Sequence, residues 1–168
     1  MRRCKLVLIG TFLLIAGRAL AQEEVEPSAI LEIGGAAQTS LKDGGSSFGP
    51  NFSIETTPIE HWLEVEAGVT PMFSPHQTEW DADFLFKKPY TWSDTLEFMF
   101  GVGPEWEHTV RSDGTMDSVS GEVALDFMYW PWEARKFGLY VEPSYDYGFS
   151  KGHEQSLAVS AGLLIPIP

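Results

Sequence analysis

Carboxylates are the commonest chemically active side chains in this sequence, and many of them recur at every second position of a segment. Lys87 is the only clear cation on the parity that they share. Isolated carboxylates removed from water are costly unless they are protonated, paired or hydrated, and their oxygens suit hard divalent cations. The sequence therefore predicts an acidic face that protons or divalent cations share, formed by Glu32, Glu55, Glu64, Glu66, Glu79, Asp81, Asp83, Glu97, Glu105, Glu107, Glu122, Asp126, Glu142 and Asp146.

Three histidines form a second candidate metal site. His76, His108 and His153 lie at or beside the third, fifth and seventh predicted turns, close in sequence to Glu79, Glu107 and Glu154. Imidazole is the commonest metal ligand, so these side chains are candidate ligands of a divalent metal at one rim. They lack HxH or HxxxH spacing, and solvated loop histidines are the alternative.

Catalysis has weaker support. A pair such as Glu105 and Glu107 could do acid-base work, but neither a placed nucleophile nor a substrate pocket accompanies it. We therefore predict no enzymatic activity, no catalytic residue and no cofactor.

The N-terminus has the pattern of a secretory signal peptide. Basic residues precede an apolar run from Leu6 to Ala16, and Ala19-Leu20-Ala21 is a small-x-small cleavage site before Gln22. The run is well short of the ~20 residues of a membrane-spanning helix. We expect residues 1–21 to be the signal peptide, 22–27 a short acidic tail and 28–168 one domain.

Charge and composition limit the partners of the exported chain. Residues 1–21 hold four of the 11 Lys and Arg, the single Cys and none of the 24 Asp and Glu, so the mature net charge is -17 instead of -13. Phosphates would be repelled, which argues against nucleic acid as a partner. Without cysteine, disulfides and zinc-thiolate sites are also excluded.

The rest of the chain alternates between apolar and small or polar residues, and a period of two is typical of strands. Asp43-Gly44-Gly45 and Asp113-Gly114 are hairpin signals, because these residues tolerate positive φ. Eight strands joined by short turns are most simply closed into an up-and-down barrel. The predicted segments are 28–41, 48–58, 61–73, 78–88, 94–110, 117–130, 137–149 and 155–168.

Prolines interrupt this pattern in three segments. Pro71, Pro104 and Pro143 lie on the apolar parity of the third, fifth and seventh segments. Because proline cannot donate to a ladder, we expect bulges or kinks there.

Side-chain volume favours the apolar face on the outside. The face with many Phe and Leu is bulky, whereas the other combines Gly, Ala and Ser with carboxylates, and an eight-stranded barrel is just wide enough for its own side chains. Aromatic residues also gather at two levels, as in the girdles of membrane barrels. We place Trp62, Trp92, Trp130, Trp132, Tyr90 and Tyr129 beside the even turns, and Trp80, Trp106, Phe73, Tyr145, Tyr147 and Phe149 toward the odd turns.

In its signal peptide, strand count, alternation and aromatic levels the chain resembles the small eight-stranded outer-membrane β-barrels of the OmpA and OmpX type. The resemblance covers residues 28–168, is architectural, and shares no motif; the last strand ends at Pro168, where that class usually has an aromatic residue. The fold class it implies is all-β, a single antiparallel up-and-down transmembrane barrel.

The resemblance implies an integral protein of the outer membrane of a Gram-negative bacterium, with a structural or surface-interaction role. Its expected partners are outer-membrane lipids and, at the acidic lumen or rim, divalent cations; the sequence leaves the oligomeric state open. The alternative is a secreted or periplasmic lipocalin-like barrel that binds a small apolar ligand, with the carboxylates on its solvated exterior.

Overall fold

The computed structural model describes residues 27–132 and 135–168. The predicted signal peptide, its cleavage site and nearly all of the acidic tail lie outside these residues. The described part contains eight strands: β1 (Ala29–Ser40), β2 (Ser46–Ile59), β3 (Leu63–Ser74), β4 (Gln77–Ser93), β5 (Leu96–Arg111), β6 (Gly114–Tyr129), β7 (Gly138–Gly148) and β8 (Gln155–Ile167).

The strands form one closed antiparallel barrel in sequence order, because β8 pairs with β1 as well as with β7. The turns after β1, β3, β5 and β7 therefore lie at one end, here called the odd end. The turns after β2, β4 and β6 lie at the other, the even end, where β1 begins and β8 finishes. Within 27–132 and 135–168 we find no helix with the length and apolar character needed to cross a bilayer.

Strands β4 and β6 extend furthest beyond their predicted segments. β4 continues to Ser93, since Pro89 remains paired with β5 opposite Met99. β6 already begins at Gly114, whose φ of 148° lets the chain turn within Ser112 and Asp113. In both places the sequence contains turn-forming residues near a strand end, and the predicted turn was therefore longer than the turn in the structure.

The expectation of bulges at the strand prolines is wrong. Each of Pro71, Pro104 and Pro143 is paired in unbroken register with the following strand. Toward the preceding strand the ladder is interrupted for two or three positions and then resumes in the same register. A missing N–H accounts for such a gap without an extra residue. The register shifts lie instead at 56–59 and 91–93, close to the even end.

The predicted orientation of the two faces is confirmed. Apolar side chains point outward: Phe100 is 43% exposed and Leu125 37%, whereas their neighbours Gly101 and Ala124 face the lumen. Buried positions on every strand carry carboxylates or other polar groups. A lipocalin-like barrel needs the opposite arrangement, so that alternative does not fit the structure.

Aromatic side chains bound the apolar band at two levels. On β4 the exposed Trp80 and Tyr90 mark these levels ten residues apart. At about 3.3 Å per residue and a tilt of about 40°, the band is roughly 25 Å tall, which is the height of the lipid-facing band of transmembrane barrels.

The assignment of Trp130 to the even-end aromatic group is wrong. Its side chain is 1% exposed and lies inside the barrel, where Nε1 donates a hydrogen bond to Glu97 Oε2 at 3.1 Å. Trp130 continues the inward parity of β6, so its position next to a turn does not bring it to the surface.

Candidate functional site

The lumen is the candidate functional site, and its even end is closed by apolar side chains. We call this group the apolar plug: Met99, Met128, Trp130, Tyr140 and Leu164, each at most 2% exposed. Met99 lies near the start of β5 and Met128 near the end of β6, which places the plug at the even end. A channel for solutes through this end would have to displace it.

Arg135 and Glu97 hold the plug from the even-end side. Arg135 Nη2 lies 2.7 Å from Glu97 Oε1, and the guanidinium lies 5.4 Å from the centre of the Trp130 ring. The ion pair and the cation-π contact fix the position of the indole.

A buried lysine lies next to the plug on the odd-end side. Lys87 is 1% exposed, and its Nζ is 2.6 Å from Glu142, 3.1 Å from Asp126 and 3.6 Å from Glu55, with Glu66 also in contact. We call these five residues the Lys87 cluster. The inward-facing lysine of β4 thus joins carboxylates from β2, β3, β6 and β7 across the lumen.

Tyr140 spans the lumen on the odd-end side of the rest of the plug. Its hydroxyl donates to Asn51 Oδ1 at 2.6 Å, and Asn51 Nδ2 donates to Thr70 Oγ1 at 2.9 Å. The side chain passes Gly34, where an added Cβ would lie 2.6 Å from the Tyr140 hydroxyl and would overlap the carbonyl oxygen of Ala161. Gly34 is therefore required by the close approach of the tyrosine and of β8.

Toward the odd end the lumen opens into a cavity of about 50 Å³ with an acidic wall, here called the acidic cavity. No Lys or Arg of the described residues lines it, although Glu66 and Glu142 in its wall also contact Lys87. Glu122 and Asp146 are directly opposite each other on β6 and β7, and Asp83 is opposite Glu105 on β4 and β5. Like charges in such positions repel. The carboxylates of the lining are Glu66, Asp81, Asp83, Glu105, Glu122, Glu142 and Asp146.

A wider polar mouth of about 200 Å³ follows at the odd end. Asp146 and Gln38 line both spaces, so the mouth lies directly against the acidic cavity. At its rim the Gly45 amide donates to Asp43 Oδ1 at 2.9 Å, and this hydrogen bond holds the pKa of the Asp43 carboxyl below its ordinary value.

The three predicted histidine ligands lie at the odd end but on separate turns or strand ends. His108 Nδ1 is 2.8 Å from Asp117 Oδ1, and the ring of His153 stacks on Tyr147 at 5.5 Å. Within residues 27–132 and 135–168, the groups of three or more close metal-type ligands consist of carboxylates alone. The histidine site, including His76, therefore stays a prediction.

Sequence reasoning identified the carboxylates and Lys87 but missed the residues that close and brace the lumen. Met99, Trp130, Tyr140 and Asn51 lie on the inward parity, which was the available signal. These side chains are much larger than the Gly, Ala and Ser residues on the same parity, and this difference in size was not used to predict that they fill the lumen.

Hydroxyl groups near the carboxylates show no catalytic arrangement. Ser120 donates to Glu105 at 2.8 Å and Ser156 to Asp146 at 2.9 Å. Among the side-chain hydrogen bonds of the described residues, none joins a hydroxyl to an imidazole, as a nucleophile and its base would require.

Comparisons by sequence give no relative. No protein-family model matches the chain. No curated protein matches it either.

Comparison of structures gives clear matches. The Neisserial surface protein A, NspA, aligns with a TM-score of 0.66 and 14% identity, covering 83% of this chain and 96% of the other. Ail, the attachment invasion locus protein of Yersinia pestis, aligns with a TM-score of 0.54 and 14% identity, covering 83% and 97%. Ail in complex with the heparin analogue sucrose octasulfate aligns with a TM-score of 0.55 and 14% identity, covering 83% of this chain and 97% of the other. With its apolar outer band and polar lumen, the chain has the fold of a small eight-stranded outer-membrane β-barrel.

Proposed function

We propose that this chain is an integral, non-catalytic protein of the bacterial outer membrane that has a structural or surface-interaction role. The observation that carries the proposal is the apolar outer band of about 25 Å, bounded by aromatic side chains, around a lumen closed by the apolar plug. The band binds outer-membrane lipids. The plug leaves no solute channel of porin size.

The proposal includes an orientation of the barrel in the membrane. The even end, where β1 begins and β8 finishes, faces the periplasm, and the odd-end turns face the exterior. The surface exposed to the exterior is then small, with turns at 41–45, 75–76, 112–113 and 149–154 that are mostly polar apart from the exposed Leu41 and Phe149.

The ligand of one structural neighbour is not carried over to this chain. Binding of a heparin analogue belongs to Ail. A sulfated sugar needs clustered positive charge. At the odd end of this chain, by contrast, Lys42 pairs with Glu154 at 3.6 Å and acidic residues surround the mouth.

Cell fractionation tests the location. Cells that express the full chain should retain it in the membrane fraction after an alkaline carbonate wash and release it only with detergent. Release by osmotic shock without detergent would contradict the proposal.

Electrical recording tests the closed lumen. The purified chain in planar bilayers should give no porin-like conductance steps. Stable steps of porin size would show that the lumen conducts and that a channel function replaces the one proposed.

Replacement of residues 149–154 by a short Gly-Asn turn separates the two roles. A structural role predicts that envelope resistance to detergent and dye, compared between expressing and non-expressing cells, is unchanged by the replacement. A surface role predicts that cell-surface binding conferred by the chain is lost while the folded barrel persists. If the intact chain changes neither readout, both roles are wrong.

A further inference from the structure

We propose that the acidic cavity binds one hard divalent cation, calcium in preference to magnesium, through Glu105, Glu122 and Asp146, with Asp81 in the same cavity wall adding negative charge nearby. The inference goes beyond the proposed function and does not depend on a surface or structural role.

The three main carboxylates have the spacing of a shared ion site. Each of Glu105, Glu122 and Asp146 offers an oxygen, and these oxygens lie within 4.8 Å of one another. Ligand oxygens at about 2.4 Å from one calcium ion are at most about 4.8 Å apart. The side chains are 4–9% exposed, so packing inside the barrel restricts their positions.

Unsatisfied oxygens in the same cavity are independent evidence of a ligand. Asp81 is 5% exposed and lines the acidic cavity, yet its Oδ1 has no hydrogen-bond partner and it enters none of the ion pairs of the described residues. Asp146 accepts from Ser156 through Oδ2, but its Oδ1 also has no hydrogen-bond partner. Buried polar groups without partners are rare, and an ion or water is the usual explanation.

The Lys87 cluster serves as an internal comparison. There, buried carboxylates surround a lysine that balances part of their charge. Of the carboxylates that line the acidic cavity, Glu66 and Glu142 contact Lys87, whereas Glu105, Glu122 and Asp146 enter none of the ion pairs of the described residues. Buried like charges need protons or a counter-charge, and for these three carboxylates we assign the counter-charge to a cation from solution.

The donor set selects the kind of ion. All ligands are carboxylate oxygens, which suit hard cations, and calcium accepts the irregular geometry of side chains fixed on separate strands. Magnesium demands near-ideal octahedral geometry and gives up its waters reluctantly. The polar mouth, which shares Asp146 with the cavity, is the route of entry.

Equilibrium dialysis with radioactive calcium tests the site on the mature chain, folded in detergent micelles and stripped with EDTA. We compare the wild type with Asp146→Asn, which keeps the shape of the side chain and removes one charge. Asp126→Asn in the Lys87 cluster is the buried control, and Asp94→Asn in an exposed even-end turn is a control that cannot disturb the lumen.

The wild type should bind about one calcium per chain with a Kd below about 1 mM, the range of extracellular sites, and Asp146→Asn should weaken binding at least about tenfold. The Kd of both controls for calcium should stay within about threefold of the wild-type value, because neither substitution removes a ligand or a residue that orients one. No saturable binding, or equal binding by Asp146→Asn, would overturn the proposal. Competition by magnesium as strong as that by unlabelled calcium would overturn the stated preference.

Urea unfolding gives a second readout, in which the stability of Asp146→Asn relative to the wild type depends on whether EDTA or calcium is present. In EDTA, Asp146→Asn should unfold at a higher urea concentration than the wild type, because repulsion in the cavity is reduced. In calcium the wild type should gain stability and the variant should gain little. A shift of the wild type and the variant by the same amount would also overturn the site.

Discussion

Replacing Lys87 with methionine tests the electrostatics of the lumen most severely. Methionine has a similar length but no charge, so the substitution leaves Glu55, Glu66, Asp126 and Glu142 without their shared cation. Their oxygens lie up to 3.6 Å from Nζ, and the side chains are at most 9% exposed. Removal of one partner from a buried ion pair costs about 3–5 kcal/mol, because the remaining charge is uncompensated. We expect a loss of this size in the free energy of unfolding.

The adjacent lysine is the matched control. Lys88 Nζ donates to the carbonyl of His61 at 2.7 Å at the even end and lies about 6 Å from the Trp62 ring. Lys88→Met removes the same charge from the surface and should cost less than about 1 kcal/mol.

Urea titration in detergent micelles, followed by tryptophan fluorescence, measures both variants. Adding Glu142→Gln to Lys87→Met should recover part of the loss, because one uncompensated charge disappears. If Lys87→Met costs no more than Lys88→Met, the reasoning about the Lys87 cluster is refuted.

Three further outcomes are expected. Leu125→Arg places a charge on the lipid-facing side and should reduce the free energy of folding into lipid vesicles by about 2–4 kcal/mol if the residue lies at the bilayer midplane; folding unaffected by it would argue against the outward assignment. Gly34→Leu should cost at least about 1–3 kcal/mol in urea unfolding by displacing Tyr140 and β8, and a neutral result would contradict the close approach at that glycine. A cysteine at Thr115 should react with an impermeant label on intact cells and one at Asp94 should not; equal labelling would refute the proposed orientation.

The strand pattern could be predicted because alternation reports directly which face a side chain occupies. Alternation placed Phe100 and Leu125 on the apolar face, and side-chain volume together with the aromatic levels placed that face outside. Closure of the barrel required only the count of segments and short turns. The end of β4 was missed because Pro89 resembles a turn signal, although its pairing with Met99 continues. The local sequence around Pro89 does not show that β5 continues beside it and so extends the ladder.

The arrangement of the lumen could be predicted only in part, because parity gives the face but not the partner across the barrel. Tyr140 reaches Asn51, 89 positions away, and Lys87 joins residues from four other strands. These contacts depend on the stagger between strands. The burial of Trp130 was missed for a related reason, since residues beside a turn can continue the inward parity of the strand.

The central claim is that the apolar face meets lipid, and site-directed spin labelling measures this directly. The mature chain is expected to lack cysteine, so single cysteines at Phe100, Leu125 and Val141 can carry nitroxides on the outer face, with Ala124 as the inward neighbour. In lipid vesicles the outer labels should collide far more often with oxygen, which partitions into the bilayer, than with a water-soluble nickel complex, and the label at Ala124 should be shielded from oxygen. If the outer labels collide mainly with the nickel complex, the apolar face meets water and the membrane-spanning account is wrong.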